Sequence, residues 1–273
     1  MTIETIDTAT DECLAHVEDG IAVITLNRPA ARNALSKQML AGLEHALDFS
    51  ERSPKVRCVV ITGAGGAFCA GGDVKSMAAA NGPAMTLDER IHLQRLSQRN
   101  TAGRIHLMPK PVVASLPGAA AGAGLSIALA ADFRIMSDQA FITSAFAKVG
   151  FSGDYGGSYF LSLLVGQSKA REIYMLSDRV NADECLTLGI ANRLATAATL
   201  EAQTLAFARR LADGPPVALR YMKENFNRVA RGADAIECMD LEATHHVHVG
   251  LTEDHKNAVQ AFINKSKPSF TGR

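Results

Sequence analysis

The segment Gly63-Ala64-Gly65-Gly66-Ala67-Phe68-Cys69-Ala70-Gly71-Gly72-Asp73-Val74-Lys75 constrains this chain more than any other, because it follows the apolar run Val56 to Ile61 almost directly. A buried strand therefore delivers the backbone into a loop with few large side chains. Glycines at 71 and 72 admit positive φ and let a ligand approach main-chain N–H groups that larger residues would shield. Such amides are donors suited to a negatively charged oxygen. Spacing removes two readings of a glycine-rich loop. A Walker-type loop fails because Val74 precedes Lys75, and a dinucleotide fingerprint fails because Phe68-Cys69-Ala70 interrupts the glycines. An oxyanion-binding loop and a plain turn between a strand and a short helix remain.

A second segment repeats the pattern. Pro111-Val112-Val113-Ala114-Ser115-Leu116 reads as a buried strand, Pro117 to Gly124 is made of tiny residues, and a helix follows over Leu125 to Ala131. A new helix points its unsatisfied N–H groups at whatever precedes it. Two strand-loop-helix units with exposed amides can grip one carbonyl oxygen from two sides.

Elsewhere strands alternate with helices. Ile21 to Leu26 and Val56 to Ile61 read as strands, and Ser36 to Ser53 between them carries apolar residues at helical spacing. Val112 to Leu116, Phe133 to Met136 and Phe141 to Thr143 continue the β series. A helix is expected over Tyr159 to Val165, with Ile190 to Leu194 extended. From about 158 the pattern is mainly helical, and Asp213-Gly214-Pro215-Pro216 stops one helix before another starts at Val217. The segment Ala78 to Arg99 shows no recognisable pattern and reads as a loop. An α/β fold follows, with a core over residues 1–198 and a helical region over 199–273.

Composition narrows the function classes. The 273 residues have zero formal net charge and 47% hydrophobic content, so a large core can form and no electrostatic footprint for nucleic acid or a membrane surface is visible. Five cysteines without a Cys-x-x-Cys pair fit a reduced, cytoplasmic setting. The acidic N-terminus is unlike a targeting peptide, and the apolar run Ala119 to Ala131 is too short to span a bilayer. Cys69 reads as an apolar filler rather than a nucleophile. His245, His246, His248 and His255 cluster near one helix end and read as surface or interface residues. No metal site is expected.

The chain resembles the crotonase superfamily, the enoyl-CoA hydratases and isomerases. The resemblance rests on Leu26-Asn27-Arg28-Pro29 with Asn33-Ala34-Leu35, on Phe68 to Lys75, on Gly118 to Asp132, on Gly156-Gly157-Ser158 and on Phe262 to Pro268, all in family order. It implies a spiral of repeated β-β-α units with a C-terminal helical region, assembled as a homotrimer or dimer of trimers. It also implies an acyl-CoA thioester substrate, coenzyme A being part of the substrate and not a separate cofactor. By motif position the amides of Gly72 and Ala123 would hold the thioester oxygen. Ala31, Arg32, Ala34, Ala70, Gly71, Asp73 and Val74 would line the coenzyme A path, with Phe262 and Lys265 at its adenine and phosphate end. Ala at 123 keeps the amide but narrows the backbone angles.

Family hydratases carry two catalytic glutamates, which by motif position fall at Ser126 and Phe146 here. Asp154, in the turn Phe151 to Ser158, falls where several isomerases and a dehalogenase of the family keep a catalytic aspartate. Its structural alternative is to cap the following helix or brace the turn. One acid opposite one oxyanion hole suits double-bond isomerisation of an enoyl-CoA, within fatty acid or related acyl metabolism. The alternatives are an enoyl-CoA hydratase (a lyase), a CoA-ester hydrolase or dehalogenase with Asp154 as nucleophile and His92 as a weak partner, and a non-catalytic CoA-binding member.

Overall fold

The computed structural model describes residues 3–73 and 85–273. Seven strands form the main sheet. In chain order they begin with β1 (Ile3–Ile6), β2 (Cys13–Glu18) and β3 (Ile21–Leu26). Helix α1 (Lys37–Arg52) crosses to β4 (Cys58–Gly63), and α2 (Leu87–Gln98) and α3 (Arg104–Leu107) precede β5 (Val112–Leu116). Next come β6 (Ala120–Ala121), α4 (Ala123–Ala130), β7 (Phe133–Ser137) and β8 (Phe141–Thr143). The long helix α5 (Gly157–Leu176) leads to β9 (Val180–Asn181), α6 (Ala182–Thr187) and β10 (Arg193–Ala195). Helices α7 (Leu200–Ala212), α8 (Pro216–Ala230), α9 (Ala235–Gly250) and α10 (Glu253–Ile263) complete the chain.

The sheet order is β1-β2-β3-β4-β5-β7-β10, with β6, β8 and β9 in a second, three-stranded sheet. Strands β1 to β3 run antiparallel to one another, and from β3 to β10 the pairing is parallel. Period-2 alternation splits the core across the main sheet. Val59 and Ile61 of β4 join Leu43, Leu47 and Leu125 on one face. Cys58 and Val60 face the other way, with Val113 and Ile135, against Leu200, Ala208 and Ala212. Helix α7 thus forms a layer of the core, and the buried Ser115 and Thr204 hydroxyls meet beneath it at 3.0 Å. Lys223 of α8 ties that helix to the sheet by pairing with Asp132 at 2.8 Å while donating to the carbonyls of Ile105 and Lys110.

The expected α/β class and most elements are present. Helix α1 fills the expected span, with Ser36 accepting from the Met39 amide at 3.0 Å as its N-cap. Strand β4 starts two residues later than expected, and β10 covers 193–195 rather than 190–194. Helix α5 outruns its expected end, passing a non-helical Gly166 to reach Leu176. The segment read as a loop over 78–99 contains helix α2, whose Thr86 and Glu89 form a complete capping box. Exposed His92 lies on that helix. Its apolar residues are not buried, which hid the helix from a burial pattern. No helix among the described residues is long and apolar enough to cross a membrane.

Candidate active site

The loop after β4 is held from beneath by Asn33, which is fully buried. Its amide nitrogen donates to the carbonyls of Ala64 and Ala67, each at 2.9 Å, and its oxygen accepts from the Arg28 amide at 2.8 Å. Arg28 donates to the Ala34 carbonyl and pairs with Glu12 and Asp73. Two neighbours of Gly72 are also committed. The Leu35 amide donates to the Gly71 carbonyl at 2.8 Å, and the Asp73 amide donates to the Leu35 carbonyl at 3.3 Å. In this parallel bridge the N–H of Gly72 itself points to the opposite side.

The second loop lies alongside the first. The Cys69 amide donates to the Ala119 carbonyl at 3.1 Å, and the Cys69 carbonyl accepts from the Ala121 amide at 2.9 Å. Gly71 has φ of +94°, and a Cβ there would lie 2.9 Å from the Ala121 carbonyl oxygen. A Cβ on Gly124 would meet Cys69 Cβ and the Cys69 carbonyl oxygen at 2.6 Å and its Sγ at 2.7 Å, so the tiny residues are what let the loops touch. Gly122, with φ of +52° and ψ of −127°, starts helix α4. Ala123 is the first helical residue, where an alanine is unstrained, so the special backbone angle falls on Gly122 instead. Its amide is one of those a helix start leaves without an internal partner. Among the described residues no hydrogen bond is donated by the amides of Gly72 or Ala123.

Asp154 faces these amides from the turn before α5. Gly72, Ala123 and Asp154 line one cavity of about 340 Å³, together with Ala70 and Gly71. Burial pushes the Asp154 carboxyl up to about 6. Its Oδ1 is buried and, among the described residues, has no hydrogen-bond partner. The cap of α5 is Gly156, with no side-chain cap bond, so Asp154 does not cap that helix. Phe146, Val149 and Phe151 give the cavity an apolar wall, and Asp154 is its sole carboxylate among the described residues.

Helix α2 fixes this turn from the outside. The Tyr155 amide donates to Gln98 Oε1 at 3.1 Å, and the Tyr155 hydroxyl meets Ser97 Oγ at 3.0 Å. These bonds hold Tyr155 at φ of +48°, an unfavourable angle for a residue with a side chain. Tyr174 packs against the turn from α5. A Cβ on Gly157 would fall 2.3 Å from both Tyr174 Oη and Ser126 Oγ, which explains the glycine. Ser126 is buried and bonds back to the Gly122 carbonyl at 3.3 Å. Ser97, Gln98, Tyr155 and Tyr174 escaped the sequence reading. The capping box that opens α2 was the available signal for the first two.

The remaining expected residues divide. Arg32 is exposed at φ of +50°, and its carbonyl accepts from the Ala70 amide, so the turn over residues 29–34 borders the first loop. Ala31 ends the short 3-10 turn there and Ala34 is buried. Val74 lies outside the described residues. Phe262 and Lys265 sit at the exposed end of α10 and do not line this cavity. His245, expected at the surface or an interface, is buried within the chain, stacked on Tyr221 at 4.0 Å and bonded to Asn225. No group of three or more potential metal ligands occurs among the described residues.

Fixed donors on one wall and an ionisable acid on another can hold an oxyanion and move a proton. A family model described as enoyl-CoA hydratase/isomerase matches residues 16–273. The chain is 33% identical to 1,2-epoxyphenylacetyl-CoA isomerase of Escherichia coli (strain K12), covering 95% of this chain and 98% of that protein. It is 32% identical to short-chain-enoyl-CoA hydratase of Clostridium acetobutylicum, over 92% and 94% of the two chains. The crystal structure of an enoyl-CoA hydratase from Polaromonas sp. JS666 superposes with a TM-score of 0.85 at 32% identity, covering 94% of this chain and 99% of that one. This chain belongs to the enoyl-CoA hydratase/isomerase family, the crotonase superfamily.

Proposed function

We propose that this protein is an acyl-CoA isomerase that shifts a double bond by proton transfer. The thioester oxygen sits between the amides of Gly72 and Ala123. Asp154, as carboxylate, removes a proton from the carbon next to the thioester of a 3-enoyl-CoA. The electron pair moves into the conjugated system, and the negative charge collects on the thioester oxygen, where the two amides stabilise it more than the neutral carbonyl. Protonated Asp154 then returns the proton at the far end of the former double bond, giving the conjugated 2-enoyl-CoA. No net gain or loss of atoms occurs.

The observation that carries this reading is one buried carboxylate with an unpartnered oxygen in the same cavity as two amides that donate no other bond among the described residues. Burial pushes the acid up to about 6, which leaves it mostly ionised at neutral pH yet basic enough to accept a proton. Family relatives carry both isomerase and hydratase names. Isomerisation is preferred because a hydratase built on this cavity would need one acid both to activate water and to protonate carbon. Exposed Phe226, Ile236, Met239 and Phe262 on the C-terminal helices support assembly with other copies, in which Phe262 and Lys265 would reach a neighbouring coenzyme A. Mixing the protein with 3-hexenoyl-CoA tests the reading. Growth of the conjugated-enoyl absorbance without formation of a hydroxyacyl product supports isomerisation; a hydroxyacyl product, free CoA or no change contradicts it.

A further inference from the structure

Part of the cavity lining is polar in a way that proton transfer does not use. Gln94 and Gln98 lie four residues apart on α2, hence on one helix face, and both line the cavity. Gln98 is oriented without ambiguity. Its neighbour is the Tyr155 N–H, a donor, so the atom at 3.1 Å must be the amide oxygen. The Gln98 NH2 group is therefore left with two donors, and among the described residues it bonds to nothing. Gln98 is half-buried and Gln94 exposed, so a hydrocarbon acyl chain laid over Gln98 would shield its donors from water and replace that hydration with nothing.

We infer that this polar lining is a recognition site for an oxygen atom carried by the acyl group, a carbonyl, hydroxyl or epoxide oxygen that accepts hydrogen bonds from the side-chain amides of Gln98 and Gln94. The inference rests on the acyl-CoA reading above and names its substrate class as oxygenated acyl-CoA esters. The apolar wall of Phe146, Val149 and Phe151 then packs on the carbon skeleton, while α2 fixes its orientation. The tether to Tyr155 gives Gln98 a second consequence: the same amide that reads the substrate oxygen also holds the turn that carries Asp154.

Calorimetric titration with hexanoyl-CoA, 4-oxohexanoyl-CoA and 5-oxohexanoyl-CoA tests it without requiring turnover. At least one oxo ester should bind about tenfold more tightly than hexanoyl-CoA, as expected for one well-made hydrogen bond. Gln98→Glu keeps an acceptor for the Tyr155 amide but removes the donor, and it should abolish that preference. Gln94→Leu should reduce it. Equal binding of all three esters, or a preference that survives in both variants, overturns the inference while leaving the acyl-CoA reading intact. Failure of every CoA ester to bind overturns both.

Discussion

On one wall of the cavity, residues 69–72 and 120–123 are joined by backbone hydrogen bonds and braced by the fully buried Asn33, and what they present is main chain. On the other wall, residues 151–157 are held by two bonds from α2 and leave a buried carboxylate oxygen without a partner among the described residues. The first wall is set by the path of the chain, so its function depends on small volume and special backbone angles. The second is set by side-chain chemistry in a poorly solvated place. A substitution therefore harms the first wall by adding atoms and the second by changing a functional group.

The largest expected effect is on the second wall. Asp154→Asn keeps the shape and removes the base, so turnover of 3-hexenoyl-CoA should fall by about 10²–10⁴-fold with binding of hexanoyl-CoA retained. On the first wall, Gly71→Ala adds one methyl group at φ of +94° against the Ala121 carbonyl. It should lower kcat by about 10²–10³-fold, the cost of displacing one oxyanion donor. Equal losses from Gly71→Ala and from an exposed-site control would break the comparison.

Stability separates the walls in the opposite sense. Gly124→Ala should destabilise the fold by about 1–3 kcal/mol in urea melts, since its methyl group meets Cys69. Asp154→Asn should stabilise it. The folded carboxyl titrates at about 6, raised from 3.8, so the native state holds its proton more tightly than the unfolded chain. Its contribution is fully favourable below about pH 4 and is lost as pH rises through 6. The Asn variant should match wild type near pH 4 and exceed it by on the order of 1–3 kcal/mol at pH 8. The smallest effect belongs to Tyr155→Phe, which deletes only the bond to Ser97. About 0.5–1.5 kcal/mol of stability should be lost, together with a modest fall in kcat as the acid loosens.

The same division explains what the sequence revealed. The first wall was legible because apolar strand runs ending in glycines leave few alternatives, and both loops lie where expected. Helix α1 was legible from its apolar spacing. Strand β2, in which Cys13, Ala15 and Val17 alternate inward, is missing from the expected elements, because the acidic N-terminal segment was weighed only against a targeting peptide. Helix α2 was overlooked because its apolar residues stay outside the core. The tether from Gln98 to Tyr155 joins residues 57 apart in sequence, and no local pattern announces such a contact. Asp154 was picked out by its motif position, but its lack of a capping bond and its raised titration depend on burial that only the folded chain supplies.

Hydrogen exchange on the substrate probes the meeting of the two walls most directly. In wild-type protein incubated with 3-hexenoyl-CoA in D2O at pH 7.5, exchange of the Asp154 proton with solvent while the enolate is bound should place deuterium at the carbon next to the thioester and at the far end of the former double bond, read by NMR. The Asp154→Asn variant should bind the same ester and exchange neither position. Undiminished exchange in that variant would show that a different group moves the proton.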